Sequence, residues 1–484
     1  SSTSRGLGDV YKRQVIDCAV GHLVELFMPD DFDKKLKAWK LTNLPIIPPE
    51  FQLKPINNTK KKFQQLKKQL KRKDIAEVIN ACDAGREGEL IFTYIFELSK
   101  SKLPVKRLWM LSMTDQAIKD AFANVRDGEE LKPLQDAARC RSESDWLIGI
   151  NGTRAVTLKR SRSAGRQVST VGRVQTPTLS VVIKREEEIN SFTPREFFKI
   201  TSTFELTEGN YIGTYQRDDF KKSDSDKHDR IDRIWDKAKA DELFQTVQNA
   251  DKAEITETKK RSPQSPGRLY DLTTLQREAN RLHHYPASRT LQIAQSLYER
   301  HKVITYPRTD SKALPEDYAP TCKNLLESIS GELAQYAQKA LQSDWVDEKN
   351  KKIFNNKQIS DHFAIIPTST SPAKLDANER KIYNLITKRF ISVFYPPAQW
   401  DVTTRTSTLS GLDFKTEGRV LVEPSWLAIY GKDNQPEDTL PALSSADNDQ
   451  ANVIKSELEK DQTKPPPRYS CLLYTSPSPR DVEE

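Results

Sequence analysis

The sequence predicts a multidomain protein in which an α/β segment is followed by mainly helical and β-rich segments. Its 484 residues exceed what one ordinary hydrophobic core holds, so several domains are expected. A buried-strand pattern over residues 75–82 leads through a turn with two glycines into an apolar helix, which predicts a βα unit. Apolar and polar residues alternate over residues 197–215 and 401–422, which indicates antiparallel strands.

Composition limits the class of protein. Charged residues make up 30% of the chain and the formal net charge is +8, which suits a polyanionic partner but equally a well-solvated basic protein. No apolar run is long enough to cross a membrane and no signal peptide is visible, so we expect a cytoplasmic protein. The cysteines lack paired spacing, which disfavours a zinc site or a disulfide framework and favours a reducing compartment. They are Cys18, Cys82, Cys140, Cys322 and Cys471.

The two ends of the chain, residues 1–14 and 471–484, are expected to be non-native and adaptor-like. Codons for Asp9 to Gln14 can be chosen so that their reverse complement, in a shifted frame, encodes Cys471 to Thr475. Permitted codons extend this match to both termini. One inverted DNA repeat therefore accounts for both ends, and we expect residues 15–470 to be a fragment of the native sequence.

The first native segments are short and amphipathic. Residues 15–26 predict a strand, a turn and the start of a helix, with His22 more typical of a structural residue than of a ligand. Residues 60–73 place Phe63, Leu66 and Leu70 at helical spacing among many lysines. We interpret the lysines as a solvated helix face.

An acidic turn follows the strand predicted over residues 75–82. Asp83, Glu87 and Glu89 lie at the carboxyl end of this strand, where open α/β sheets bind ligands. The three carboxylates repel one another unless a cation compensates, and hard oxygen ligands suit Mg²⁺. The alternative is an acidic first turn that only favours the helix dipole.

A long helix is predicted over residues 131–158, with arginines interleaved around Trp146. The residues alone favour a core position for Trp146 over stacking on a base. After a basic loop at 159–166, Gly172 permits close approach of the backbone to a phosphate, and Arg173 and Gln175 can hydrogen-bond phosphates or base edges.

The second half of the chain alternates between strands and helices. Beyond the strands at 197–215, the patterns predict a polar loop at 221–236, a strand at 253–259, a proline-containing hinge at 261–267, helices at 272–281, 288–301 and 385–395, and strands at 401–422.

The segment from Ile304 to Ser311 carries the most specific pattern. Tyr306 ends an apolar run and precedes Pro307, which stops regular structure. A phenol, with a pKa near ~10, becomes a useful nucleophile when a cation supports the phenolate and a phosphate is held against it. Arg308 suits that task because its planar fork grips phosphate oxygens. The alternative is a helix ending in a turn, with Tyr306 half-buried and Arg308 paired to Asp310.

Taken together and in this order, the motifs resemble the type IA DNA topoisomerases, specifically bacterial topoisomerase III. The matching segments run from Asp83 to Glu89, Asp145 to Arg154, Thr170 to Pro177, Leu297 to Ser311 and His362 to Thr368. The resemblance implies a toroidal multidomain fold with an N-terminal Toprim domain. It also implies ATP-independent cleavage and rejoining of one DNA strand through a 5′-phosphotyrosine, with relaxation of negative supercoils or decatenation.

The resemblance also assigns roles to residues. It implies Tyr306 as the nucleophile, Arg308 as support for the phosphate and His362 beside the scissile phosphate. Mg²⁺ would be the cofactor, held by Asp83, Glu87 and Glu89. The implied DNA contacts are Trp39, Trp146, Arg154, Thr170, Val171, Gly172, Arg173, Val174 and Gln175, which moves Trp146 from the core to the DNA surface.

Domain boundaries follow from the same resemblance. We expect a Toprim domain at 15–130, the helical DNA-binding domain at 131–192, a β-rich hinge or arch domain at 193–260, the helical domain with the catalytic tyrosine at 261–392, the β-rich return at 393–430 and the start of the return to the helical domain at 431–470. The implied partners are single-stranded regions of negatively supercoiled or catenated DNA and a helicase, with no membrane and a monomeric chain.

Two departures from the family pattern affect these expectations. Many relatives carry a second aspartate where this chain has Gly85, so a metal would depend on the remaining carboxylates. The first Toprim strand, with its catalytic glutamate and a nearby lysine, is expected before Val15, where the adaptor-like end stands. A fragment that cleaves poorly is therefore expected.

Two other classes of protein remain as alternatives. The first is a DNA-binding fragment without turnover, which a plasmid-relaxation assay with Mg²⁺ would distinguish. The second is a relaxase or a tyrosine recombinase. Relaxases use a histidine cluster that the six histidines do not supply, and recombinases need no acidic turn of this kind.

Overall fold

The computed structural model describes residues 14–110, 115–160, 167–222, 226–359, 362–431 and 439–469. The two ends interpreted as adaptor-like lie outside the described residues except for Gln14, as do Asp361 and most of the basic loop at 159–166. Along the described segments, none of the helices has both the length and the apolar character that a bilayer crossing requires.

The chain divides into two units that do not follow the sequence order. The first comprises the described residues up to Val181 together with Thr309–Tyr318 and Phe354–Phe363. The second comprises Val182–Arg308, Ala319–Ile353 and the described residues from Ala364 onward. Thr309–Tyr318 and Phe354–Phe363 of the first unit fall within the range expected for the helical domain, 261–392. These two segments contact each other through a parallel bridge between Leu314 and Phe354.

The first unit is an α/β unit, as the sequence predicts. Its elements in chain order are β1 (Val24–Leu26), α1 (Pro29–Phe32), β2 (Leu53–Pro55), α2 (Lys60–Leu70), β3 (Val78–Asn80), α3 (Arg86–Ser99), β4 (Val105–Arg107), α4 (Asp115–Ala123), β5 (Arg126–Asp127), α5 (Lys132–Arg160) and α6 (Gln175–Asn190), of which α6 continues into the second unit. Strands β1 and β2 pair antiparallel. Strand β3 pairs parallel with β4, and β4 pairs antiparallel with β5. The β3–α3–β4 succession is thus a βαβ crossover, which confirms the βα unit expected around the acidic turn.

The core of this unit lies where α2, α3 and α5 meet the β1–β2 ribbon. Phe63 of α2, Leu90 and Tyr94 of α3 and Trp146 of α5 are all buried in one cluster with Leu23. The apolar residues of α2 recur at helical spacing, and that face is the one that is buried. This packing fixes both ends of α3 and therefore the turn that precedes it.

The second unit contains a closed β-barrel. Its elements in chain order are β6 (Glu196–Leu206), β7 (Gly209–Tyr215), α7 (Lys237–Gln248), β8 (Lys252–Gln264), α8 (Leu272–His283), α9 (Ala287–Glu299), α10 (Ala319–Ser328), α11 (Ala334–Gln342), α12 (Ala377–Ser392), β9 (Ala398–Leu409), β10 (Leu412–Glu423) and β11 (Gln450–Gln462). The barrel order is β10-β7-β6-β11-β8-β9, and all pairs are antiparallel. Closure removes the unpaired strand edges that an open sheet of this length would expose.

Strand β11 lies within residues 431–470, the range expected to begin the return to the helical domain. Gln450–Gln462 pairs with β6 along its length and with β8 at its start, and the residues after it reach α6, where Arg468 pairs with Glu186. The alternation in β11 is weak because few of its side chains are buried. Strand β8 likewise extends through Gln264, into the segment interpreted as a hinge.

Helices α8, α9 and α12 form the helical part of the second unit. Their shared core includes Leu275, Ile293, Leu297 and Ile386, all buried. The same core takes in Ile304, so the segment after α9 is held against the helices. The helices predicted over 272–281 and 288–301 are confirmed, whereas α12 begins at Ala377, earlier than the pattern indicated.

Candidate functional site

The acidic turn lies between β3 and α3. Asp83 follows β3 and is exposed, and Glu87 is exposed in the first turn of α3. Gly85 is the N-cap of α3, with φ −168° and ψ 179°, an extended backbone that other residues also adopt. Its backbone therefore does not require a glycine at this position.

Glu89 does not share this exposure. Its side chain is 0% exposed and Oε1 accepts a hydrogen bond of 2.5 Å from Nε of Arg107, which is 1% exposed. Oε2 accepts from Gln135 at 3.1 Å, and Asn80 donates to both oxygens at 3.4 Å. A buried carboxylate that is paired with an arginine and surrounded by hydrogen-bond donors is a structural group. The predicted metal ligands are therefore reduced to Asp83 and Glu87.

Arg107 also holds the backbone of the turn. Its Nη1 donates to the carbonyl oxygens of Asn80 at 3.0 Å, Cys82 at 2.7 Å and Leu108 at 2.7 Å, and its Nη2 donates to that of Asp83 at 2.6 Å. Its guanidinium carbon lies 5.0 Å from the centre of the Trp109 ring. One buried cation thus fixes the path of the chain from Asn80 to Asp83 and the position of the Asp83 side chain.

Gly88 allows α3 to approach this turn. A Cβ atom at Gly88 would overlap the carbonyl of Asp83 and lie 2.9 Å from its backbone nitrogen. The glycine is therefore required by packing rather than by backbone freedom.

Two histidines face the exposed carboxylates. His22 Nε2 lies 2.5 Å from Glu87 Oε1, and His362 Nε2 lies 3.8 Å from Asp83 Oδ2. Within the described ranges, no three His, Cys, Asp or Glu side chains gather as a metal cluster. Two carboxylates nevertheless fit Mg²⁺, which is usually held by one or two of them together with water and phosphate.

Tyr306 lies in the second unit, and a short backbone ladder holds the residues just before it. Thr305 N–H donates to the carbonyl of Ile366 at 3.0 Å, and Thr368 N–H donates to that of Val303 at 2.9 Å. The Thr305 hydroxyl donates to the carbonyl of Ala364 and accepts from Ile366 N–H, both at 3.0 Å. Within the second unit, residues 302–305 are thus paired with residues 364–368, a relation that their order in the sequence did not reveal.

Tyr306 directly follows this ladder and is half-buried. Its ring packs edge-on against Tyr298, with centroids 5.3 Å apart and an interplanar angle of 79°. Arg308 is exposed and has no acidic partner within ion-pair distance in the part of the chain that the structure describes. The pairing with Asp310 that the alternative interpretation required is therefore not observed.

His362 is held by a residue that follows the tyrosine closely. In the first unit, the Thr309 hydroxyl donates to the carbonyl of His362 at 2.7 Å. His362 is half-buried, and its imidazole faces Asp83 as described above. The structure therefore joins His362 to the acidic turn.

The residues implied as DNA contacts differ in accessibility. Trp146 is 8% exposed, contacts Phe32 and Phe51 edge-on, and donates from Nε1 to the carbonyl of Phe27 at 2.8 Å. These contacts are those of a core residue and leave no ring face for a base. The structure thus contradicts the implied stacking role of Trp146 and agrees with the interpretation from the residues alone.

Arg154 and Trp39 form a stacked pair. The guanidinium carbon of Arg154 lies 5.3 Å from the centre of the half-buried Trp39 ring, and Nη1 donates to the carbonyl of Leu36 at 2.6 Å. Burial lowers the pKa of Arg154, and the nearby Asp30 opposes this. Arg154 therefore orients Trp39, whose ring is the more accessible of the two.

The segment Thr170–Gln175 is positioned by α5. The Thr153 hydroxyl accepts from Val171 N–H at 2.9 Å, and the Thr157 hydroxyl accepts from Ser169 N–H at 3.0 Å. Arg173 is exposed and paired with Asp145 at 2.5 Å. Thr170, Val174 and Gln175 are exposed as well, while Val171 and Gly172 are half-buried.

Two residues of this site were missed by sequence reasoning. His22 was interpreted as structural, and Arg107 was not considered. Asn80 follows the apolar residues of β3 and Glu89 precedes those of α3, so both could be suspected as buried polar groups, but their pairing with Arg107 depends on the crossover that brings β4 beside β3.

Comparisons with known proteins agree with the sequence motifs. A family model described as DNA topoisomerase matches residues 129–471. DNA topoisomerase 3 of Bacillus licheniformis is 39% identical over 469 residues, which cover 95% of this chain and 61% of that protein. DNA topoisomerase 3 of Bacillus subtilis is 38% identical, over 96% of this chain and 62% of that protein. The chain therefore spans about three fifths of the length of these curated relatives.

A solved structure shows a similar fold. Full-length topoisomerase I of Thermotoga maritima superposes with a TM-score of 0.63 over 95% of this chain and 70% of that one, at 22% sequence identity. At this identity the likeness shows the fold alone.

Proposed function

Because the chain belongs to the DNA topoisomerase family, we propose that its parent protein is a type IA enzyme of the topoisomerase III kind. It cleaves and rejoins one DNA strand without ATP, and it relaxes negative supercoils or decatenates DNA. The observation that carries the proposal is the ladder between residues 302–305 and 364–368, which presents the half-buried Tyr306 two residues before an exposed arginine.

In the proposed reaction, Tyr306 is the nucleophile. Its Oη attacks the phosphorus of one strand in line with the bond to the 3′-oxygen. The new phosphotyrosine bond forms as the bond to the 3′-oxygen breaks, the phenol gives up its proton and the leaving oxygen gains one. The 3′-hydroxyl reverses the reaction at rejoining, so the bond energy is conserved and no nucleotide is consumed.

Arg308 supports the phosphate in this proposal. Its guanidinium is permanently charged and offers two parallel donors to phosphate oxygens. The absence of an acidic partner within the described ranges leaves the whole charge available to a ligand. His362, held by Thr309 and facing Asp83, is proposed as a donor beside the scissile phosphate.

Asp83 and Glu87 would hold Mg²⁺. Bound there, the ion would supply positive charge to phosphate oxygens as the reaction proceeds. The chain's own contribution is to hold Asp83 through Arg107 and Gly88, and to keep Glu87 beside His22.

The finer assignments are part of the same proposal. We assign the Toprim domain to residues 15–130, the catalytic helical domain to 261–392 and a toroidal arrangement to the parent protein. The similar fold supports these assignments, and the family match supports the part that lies within residues 129–471. DNA is the proposed substrate, contacted by Trp39, Arg154 and the Thr170–Gln175 segment. Cytoplasmic location, a helicase partner and a monomeric chain stay predictions.

Tyr306→Phe tests the proposal. The variant should lose covalent DNA adducts in the presence of Mg²⁺ and keep salt-sensitive DNA binding, because only the phenolic oxygen is removed. Tyr298→Phe is the matched control, since its ring packs against Tyr306 and it should still form adducts. Adducts that persist in Tyr306→Phe, or that vanish in Tyr298→Phe alone, would refute the assignment. The alternative, a DNA-binding module without turnover, predicts no adducts and no plasmid relaxation in any variant.

A further inference from the structure

Helix α2 presents a charged face that the proposed reaction does not use. We call it the lysine face, and it consists of Lys60, Lys61, Gln64, Lys68 and Lys71, all exposed. Lys71 directly follows the helix. At about 100° per residue, the other four side chains point within an arc of about 100°. They lie opposite the apolar side chains of Phe63, Leu66 and Leu70.

The lysine face is rigidly mounted. Phe63 is 1% exposed and packs in the core cluster with Leu90 and Tyr94 of α3, the helix that begins at the acidic turn. The Ser101 hydroxyl donates to the carbonyl of Leu70 at 3.2 Å, which ties the end of α2 to the segment after α3. The positions of the lysine backbones are therefore set by the fold.

The charge pattern departs from that of an ordinary solvated helix. Residues 57–73 contain eight lysines and arginines and no aspartate or glutamate, so the i, i+4 pairs that stabilise an exposed helix cannot form. The first turn carries Lys60, Lys61 and Lys62 and no acid, at the end where the helix dipole disfavours cations. This arrangement of like charges lowers the stability of α2. We therefore interpret the lysines as residues that bind a ligand.

Neighbouring acids compensate other cations but not the lysine face. Lys62 pairs with Asp17 at 2.5 Å and Arg72 with Asp74 at 2.6 Å. In the parts of the chain that the structure describes, no acid lies within ion-pair distance of the four lysines of the face. Their charge is thus directed at solvent or at a partner.

We propose that the lysine face binds the phosphate backbone of DNA, as a sequence-independent contact in addition to Trp39, Arg154 and the Thr170–Gln175 segment. The eleven residues of α2 extend about 16 Å, and duplex DNA of that length carries about ten phosphates on its two strands. Each ammonium can therefore meet a phosphate. This inference rests on the proposed function for the identity of the polyanion.

The composition of the surface favours DNA over an acidic protein. Interfaces between proteins are anchored by buried aromatic or aliphatic side chains. Between residues 57 and 77, all of which are described, no large apolar side chain is exposed. Flexible ammonium groups without an apolar anchor suit contacts that position a backbone and do not read sequence.

The test is the salt dependence of DNA binding by the whole protein. The variant replaces all four lysines by glutamine, and the fold should be unchanged because these side chains are exposed. Binding of fluorescent duplex and single-stranded oligonucleotides is measured by anisotropy over a range of salt concentrations. We expect the slope of log K against log salt to become shallower by up to about 3.6 for duplex and about 2.8 for single strands, since each phosphate contact contributes about 0.9 or 0.7.

A charge-matched control separates a specific surface from net charge. It replaces four lysines of the second unit that are already paired with acids, namely Lys237, Lys415, Lys455 and Lys460. Its slope should stay near that of the unchanged protein. An unchanged slope in the lysine-face variant, as a surface for an acidic protein predicts, overturns the inference, and so does an equal change in both variants.

The same samples keep this inference distinct from the proposed function. Adduct formation at Tyr306 is measured in parallel and should persist in the lysine-face variant at low salt. If the unchanged protein forms no adduct, as a DNA-binding module without turnover predicts, the slopes still decide whether the lysine face binds DNA.

Discussion

Arg107→Met removes a buried cation that holds the acidic turn. Arg107 is 1% exposed and Glu89 is 0% exposed, so the substitution leaves a buried carboxylate without its partner. It also strips a donor from the carbonyls of Asn80, Cys82 and Asp83. Breaking a buried ion pair in this way costs about 3–5 kcal/mol, a large part of the stability of a typical domain.

Hydrogen exchange of residues 78–108 measures this cost at the turn itself. At 1.36 kcal/mol per tenfold, we expect amide protection there to fall by about 10²- to 10⁴-fold. Combining Arg107→Met with Glu89→Leu should restore about half of the loss or more, because replacing both members of a buried pair by apolar residues is often nearly neutral.

Arg405→Met is the matched control. Arg405 is also 1% exposed and pairs with Glu257 at 2.6 Å, but it lies in the barrel of the second unit. It should reduce protection in the barrel and leave residues 78–108 unchanged. The reasoning is refuted if Arg107→Met lowers protection at the turn by less than about fivefold, or if Arg405→Met lowers it equally.

Two further predictions concern the turn and a helix cap. Gly88→Ala should destabilise the turn by about 1–3 kcal/mol, because the added Cβ atom overlaps the Asp83 carbonyl. Gly149→Ala is the control, since α5 has space for a Cβ atom there. Hydrogen exchange of residues 78–108 compares the two variants. The N–H groups of Glu379 and Asn378 hold the pKa of Asp376 below its usual 3.8, so its stabilisation of α12 is full above that pH and is lost as the pH falls through the lowered pKa. Exchange of residues 377–392 should therefore accelerate in acid, and Asp376→Asn should remove that dependence; an unchanged acid profile in the variant contradicts the cap.

Local patterns were sufficient to predict most elements. The apolar spacing in α2 and in α8 and the alternation in β6 and β9 were confirmed, because these periods reflect which face of one element is buried. Strand β11 was missed because few of its side chains are buried, and its position between β6 and β8 depends on residues about 200 to 270 positions away in the chain.

The sequence by itself determined which residue types the candidate site contains and the family to which the chain belongs, since short motifs keep their order and spacing. Only the tertiary structure decided which of these side chains are available. Glu89 is engaged by Arg107, Trp146 is packed in the core, and Glu87 faces His22. Each of these relations joins different elements of the chain, so it depends on how β4, α5 and the segment before β1 pack around α3 and its turn rather than on any local pattern.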